Sequence, residues 1–199
     1  MNYEDYIKVQ IVDCLSHEED KFVWAEGQRI FVRKIIKFLR KSDNILDCAC
    51  GDGVGLEELR TLGFTAEGVD LADSKLERAR TKNLKVSKSD IHDLSVFEDN
   101  QFDAIICSHT LEHAYDPNLV LKNFRRILKQ DSLLFIVLPF PDLTNNIDVH
   151  VAKDILGTSD SKDGENKIQT FFHENGFEII EKSFDSFREP EIWLTLKRI

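Results

Sequence analysis

No two cysteines in this chain stand at CxxC spacing, and the CxC of Cys48 and Cys50 has no second half. The four thiols, Cys14, Cys48, Cys50 and Cys107, therefore form no paired motif. The last three lie in apolar segments, where a reduced, buried thiol is expected, as in a reducing compartment. Long apolar runs are also missing. The longest clean one, Leu133 to Phe140, is far too short to cross a bilayer. The N-terminal MNYEDYIKVQIVD is acidic and lacks the apolar core of a signal peptide, so a cytoplasmic protein without a membrane partner is expected. Excess basic charge is absent as well: the formal net charge is −10, which disfavours broad nucleic-acid binding. No internal repeat or low-complexity tract is present. What remains, 42% apolar and 31% charged residues over a length of 199, fits one folded domain with one core.

Periodicity divides that domain. Residues 1–43 read as helical, with Phe31, Ile35 and Phe38 beside Val32, Ile36 and Leu39 on an amphipathic stripe that Ser42-Asp43-Asn44 ends. The period then changes. Strands are expected over 45–50, 65–70, 84–90, 102–107 and 133–138, with helices over 55–62, 74–82 and 119–128 between them. Such alternation predicts an α/β, doubly wound, mostly parallel sheet with helices on both faces. Residues 140–164 follow as a long polar excursion, the kind of loop that is functional or mobile. A helix over 165–175 and two strands around Arg188-Glu189-Pro190 complete seven strands with a C-terminal antiparallel hairpin. The expected organisation is a single domain: a helical cap at 1–43, a core at 44–139, a substrate loop at 140–164 and a closing helix and hairpin at 165–199.

The strand ends carry the chemistry. Asp47-Cys48-Ala49-Cys50-Gly51-Asp52-Gly53-Val54-Gly55 is a glycine turn between a strand and a helix, where backbone can approach a ligand and helix N–H groups can meet an anionic group. A dinucleotide fingerprint needs glycine at position 56, which is Leu56, and a phosphate-binding loop needs a Gly-Lys pair followed by Ser or Thr, which is absent. The spacing is GxGxG instead. Asp70 ends the second strand, 23 residues after Asp47, where a carboxylate can accept both ribose hydroxyls. Asp90 ends the third, where it can accept from an adenine amine while Ile91 covers the ring. Each acid alone reads as a solvated strand end; the set, on consecutive strands, reads as a nucleotide-type cofactor site.

The GxGxG turn, the Leu111-Glu112-His113 triplet after the fourth strand, Asp116-Pro117 and the Arg125 to Lys129 run resemble the class I S-adenosylmethionine (SAM)-dependent methyltransferases, small-molecule type. The resemblance covers 44–139 by motif and 165–199 by architecture. It departs at Ala49, where the family commonly has glycine. It implies SAM as cofactor and S-adenosylhomocysteine (SAH) as product. It places the methionine end on Asp47, Ala49, Cys50, Gly51 and Gly53, the ribose on Asp70 beside Leu71, the adenine on Asp90 and Ile91, and backbone of Ser108 near the methionine amine.

Methyl transfer from a sulfonium needs in-line alignment above all, and a base where the acceptor is a hydroxyl or protonated nitrogen. His109, His113 and His150 are the candidate catalytic residues, whereas His17, His92 and His173 are expected to be structural. His109 and His113 stand four apart, but no HExxH accompanies them, so no metal is expected. The run Arg29, Arg33, Lys34, Lys37, Arg40 and Lys41 reads as a solvated helix face before an RNA contact. Tyr6, Phe22 and Trp24 read as core before they read as an active-site cap. The expected activity is methylation of an O or N atom of a small molecule, a sugar or other metabolite, by a chain for which a homodimer is allowed. The alternatives are an RNA or protein methyltransferase, a non-catalytic SAM-binding partner subunit, and an NAD-dependent reductase. The last lacks both its third glycine and a Tyr-Lys signature.

Overall fold

A computed structural model of the chain describes residues 1–16, 21–159, 162–187 and 189–199; His17 and Arg188 lie outside them. The N-terminal segment forms α1 (Tyr3–Ser16) and α2 (Lys21–Ile35). The apolar stripe of α2 buries Phe31, Val32 and Ile35. The helix stops at Ile35, earlier than the sequence suggests. A short 3-10 turn follows, Leu39 is already extended, and Asp43 captures the Arg40 amide at 2.7 Å.

The core alternates as expected: β1 (Ile45–Cys48), α3 (Val54–Thr61), β2 (Ala66–Asp70), α4 (Asp73–Thr81), β3 (Val86–Lys88), β4 (Phe102–Ser108), α5 (Pro117–Ile127) and β5 (Leu128–Pro139). Pro117 fits the first turn of α5, where its missing N–H costs nothing, and Asp116 caps the helix by accepting from Leu119 at 3.1 Å. The excursion after β5 holds one short helix, α6 (Lys153–Leu156). α7 (Gly164–Glu174), β6 (Phe177–Asp185) and β7 (Glu191–Arg198) follow.

The seven strands run in the order β3-β2-β1-β4-β5-β7-β6. The first five named are mutually parallel; β7 enters antiparallel between β5 and β6, closing the sheet with the expected hairpin. β5 begins at Leu128, five residues before its apolar run, because α5 leads directly into it and Leu128 pairs with Phe102 across a bulge. The strands read as continuous apolar runs because both faces are covered. On β4, Ile105 and Cys107 join one core with Phe124 of α5 and Phe172 of α7. Ala104 and Ile106 face the other, with Phe31 of α2 and Leu59 of α3. Strand order reverses between β1 and β4, so their carboxyl ends define the crevice where ligands bind in such sheets.

Candidate active site

A cavity of about 400 Å³ opens over that crevice. At one end lies the turn after β1. Ala49, Gly51 and Gly53 all have left-handed backbone, with φ of 58°, 53° and 79°. A Cβ on Gly53 would stand 2.3 Å from Leu84 Cδ1, so Leu84 would have to shift to admit one. Gly55 leaves room beside Asp47, since its Cβ would stand 2.8 Å from Asp47 Oδ2. Asp70 clamps the turn. Its two carboxylate oxygens accept from the Gly51 and Ala72 amides, each at 2.8 Å. Asp47 sits beneath, 1% exposed, with Oδ2 lacking any hydrogen-bond partner. Burial, helped by the nearby charge of Asp70, pushes its carboxyl up to about 7.

Among the expected cofactor residues, Ala49, Cys50, Gly51, Asp70, Leu71, Ile91 and Ser108 line the cavity. Asp47 and Gly53 are not among the lining residues. Asp90 is not among the lining residues. Its carboxylate accepts from Tyr3 O–H and from the backbone and ring of His92, the latter at 2.7 Å. Burial works to raise the Asp90 carboxyl, but these bonds outweigh it and hold it low. His92 is structural: Nδ1 donates to Asp90, so Nε2 accepts from the Asp116 amide at 3.3 Å.

The other end of the cavity is imidazole and carboxylate. His109 follows β4 with left-handed φ of 48°; it lies 3.4 Å from Glu112, 3.2 Å from Glu191 on β7, and edge-on to Trp24 of α2. His113 hydrogen-bonds through Nδ1 to the Val149 carbonyl at 3.1 Å. His150 meets it edge-on, ring centroids 4.6 Å apart, and pairs through its own Nδ1 with Asp142 at 2.7 Å. Thus the three candidate catalytic histidines converge. His109 and His113 line the cavity, and His150 packs behind His113. Burial depresses the His113 imidazole. For His150, burial is outweighed by the Asp142 hydrogen bond and the Glu112 charge, and its pKa rises.

Sequence reasoning passed over several lining residues. Gln10, Asp13 and Gln28 come from the two N-terminal helices, and Lys75 and Arg78 from α4. No local pattern marks them; only the packing of α1 and α2 over the strand ends brings them in. Tyr6 is both buried and lining, Trp24 lines, and Phe22 is 79% exposed. The basic run of α2 is largely matched. Arg33 pairs with Glu58 at 2.7 Å, Lys34 with Asp185 at 3.1 Å and Lys37 with Glu181 at 2.7 Å. Among the described residues no helix is long and apolar enough to cross a membrane.

Residues 46–136 match the family described as a methyltransferase domain. A ubiquinone biosynthesis O-methyltransferase of Xanthomonas oryzae is 32% identical over 98 residues, covering 46% of this chain and 41% of the relative. The match thus spans less than half the length of such curated relatives. Among solved structures, a SAM-dependent methyltransferase of Methanosarcina mazei superposes with TM-score 0.66 at 19% identity, over 83% of this chain and 97% of its own. Magnesium protoporphyrin IX methyltransferase of Synechocystis, with SAH bound, gives 0.66 at 15% identity over 89% of this chain and 84% of its own. These two establish a shared fold. The chain thus shares the fold of these methyltransferases and carries, over residues 46–136, a match to the methyltransferase domain.

Proposed function

We propose that this protein transfers a methyl group from SAM to a hydroxyl oxygen of a small molecule. One observation carries the reading: a single cavity joins the Asp70 and glycine-turn end to the histidine end. Asp70 presents its carboxylate at the end of β2, where ribose hydroxyls can replace or share its backbone donors. Ala49 to Gly51 and Ser108 offer backbone to the methionine end, and Ile91 an apolar surface to the adenine. Held there, SAM would supply an already activated methyl group, and the residues after β4 would hold the acceptor hydroxyl and receive its proton as the methyl is transferred. Alignment supplies most of the rate, because the methyl carbon is already activated by the sulfonium.

His109, His113 and His150 are assigned to the acceptor end, where the hydroxyl has to lose its proton. The choice of oxygen is supported by the relatives, which are O-methyltransferases of ubiquinone biosynthesis. The acidic surface and the ion-paired α2 face support a small acceptor over RNA.

The test is calorimetric titration with SAH, with NAD as control and Asp70→Ala in parallel. Binding of SAH alone, lost in the variant, is expected. Binding of NAD, or of neither ligand, would sink the reading. Turnover of labelled SAM against hydroxylated aromatic and sugar acceptors then narrows the substrate.

A further inference from the structure

We propose that α1 is a latch on the cofactor site: the Tyr3 hydroxyl and the base of the cofactor compete for the Asp90 carboxylate. The inference rests on the reading that SAM lies in the cavity with its adenine at Ile91. Asp90 stands between two residues that line the cavity, Ser89 and Ile91, and yet does not line it. Its carboxylate is committed elsewhere. Oδ2 accepts from the Tyr3 hydroxyl, and Oδ1 from the His92 amide and ring at 2.8 and 2.7 Å. An amine held in the cavity reaches this carboxylate only when Asp90 and Tyr3 part. One bond to a charged acceptor is then exchanged for another.

The competitor is firmly held. Asn2 caps α1 by accepting from the Asp5 amide at 2.9 Å, so the first turn that carries Tyr3 is built and does not fray. The Tyr3 ring packs against Tyr6, His92 and Tyr115, with centroids 5.5, 5.5 and 5.4 Å away. Tyr115 in turn donates to the Met1 carbonyl at 3.2 Å. The Asp90 side chain is only 18% exposed, so water competes weakly for its bond to Tyr3.

The same helix reaches the acceptor end. Gln10 lies seven residues beyond Tyr3, about 10 Å along the same face. Its Nε2 donates to the Asp148 and Val149 carbonyls at 3.2 and 3.1 Å. The Val149 carbonyl is the one that receives His113 Nδ1. A movement of α1 that frees Asp90 is therefore felt at His113, and one helix ties cofactor occupancy to acceptor geometry. A latch closed about nine-tenths of the time weakens apparent cofactor affinity about tenfold, because only the open fraction is competent.

Calorimetry with SAH compares the full chain with Tyr3→Phe, Tyr115→Phe and Asp90→Ala. Tyr3→Phe keeps the ring and loses the hydroxyl, and should bind SAH about 3- to 10-fold more tightly. Tyr115→Phe, which loosens the Met1 end, should tighten binding by about twofold. Asp90→Ala should weaken binding, and Tyr3→Phe should then add nothing in that background. The chain's three tyrosines all belong to this cluster, so 3-fluorotyrosine labelling gives three fluorine signals. Saturating SAH should move most the signal that is missing in Tyr3→Phe. Unchanged or weaker SAH binding by Tyr3→Phe, or a stationary Tyr3 signal, overturns the latch and leaves the SAM reading intact. Failure of the unmodified chain and Tyr3→Phe alike to bind SAH overturns the SAM reading and the latch with it.

Discussion

The two ends of the cavity are built differently. The end proposed for the cofactor comes from strand–turn–helix units close along the chain: β1 with its glycine turn, β2 with Asp70, and the segment after β3. Its shape is set by backbone, and its main clamp is an acid whose two oxygens bind amides of the same crevice. The acceptor end is gathered from far apart: α1 and α2, the segment after β4, the excursion after β5, and the start of β7. Its shape is set by side chains. An end built from backbone can keep one ligand while an end built from side chains changes acceptor. Substitutions should therefore divide cleanly between cofactor and acceptor effects.

The largest expected effect is at Asp70. Asp70→Ala removes the clamp on the Gly51 amide and the acceptor for two hydroxyls, each charge-assisted bond being worth about 1.5–3 kcal/mol. SAH affinity should fall by at least about 100-fold in calorimetry. An unchanged SAH affinity would break the comparison.

Next in size is a pH effect that belongs to the cofactor end alone. Asp47 is held near 7 by burial and by Asp70. A cofactor ammonium close by favours its ionised form, so binding releases a proton below that pH. SAH affinity should rise about tenfold from roughly pH 6 to pH 8 and level off above, and Asp47→Asn should flatten the profile. The same shift acts on the apo protein with a worked sign. The folded pKa lies above the unfolded value, so the associated stability is full below the usual carboxylate range and is lost as pH rises through about 7. Asp47→Asn should therefore stabilise the apo protein at pH 8 more than at pH 5, read as thermal midpoints.

The contrast also explains what the sequence could and could not reveal. Glycine at positions of positive φ, apolar strands ending on acids, and Asp116-Pro117 opening α5 are local signals, each with a local cause. They were legible, and they mark the sheet and the glycine-turn end of the cavity. Asp90 matched the pattern, yet its carboxylate is taken by Tyr3 of α1 and by His92, an arrangement that depends on where α1 packs. His109 and His113 were visible as a pair, and His150 as a loop residue. Asp142 behind His150 and Glu191 beside His109 were not, since each contact joins separate elements.

His150→Ala sharpens the division from the acceptor side. His150 contacts His113 and Asp142 and does not line the cavity, so SAH affinity should stay within about twofold. Turnover with a hydroxyl acceptor should fall by about 100-fold or more, the scale of a lost proton-handling group. A proportionate loss of SAH binding would place His150 at the cofactor end instead.

The smallest effect probes how much strain the cofactor end carries. Ala49 lines the cavity with φ of 58°, a conformation in which a Cβ crowds the following carbonyl by roughly 1–2 kcal/mol. Glycine relieves that crowding but loses roughly 0.5–1 kcal/mol through the freedom it gains in the unfolded chain. Ala49→Gly should therefore raise unfolding free energy by about 0.5 kcal/mol in urea titration, with SAH affinity nearly unchanged. The sign matters more than the size. A gain means that the turn is held in its left-handed form by the fold against a local cost, with Asp70 and the Gly51 amide supplying part of the hold. A loss would mean that the Ala49 methyl makes compensating contacts in the cavity wall, and that side chains shape the cofactor end as they do the acceptor end.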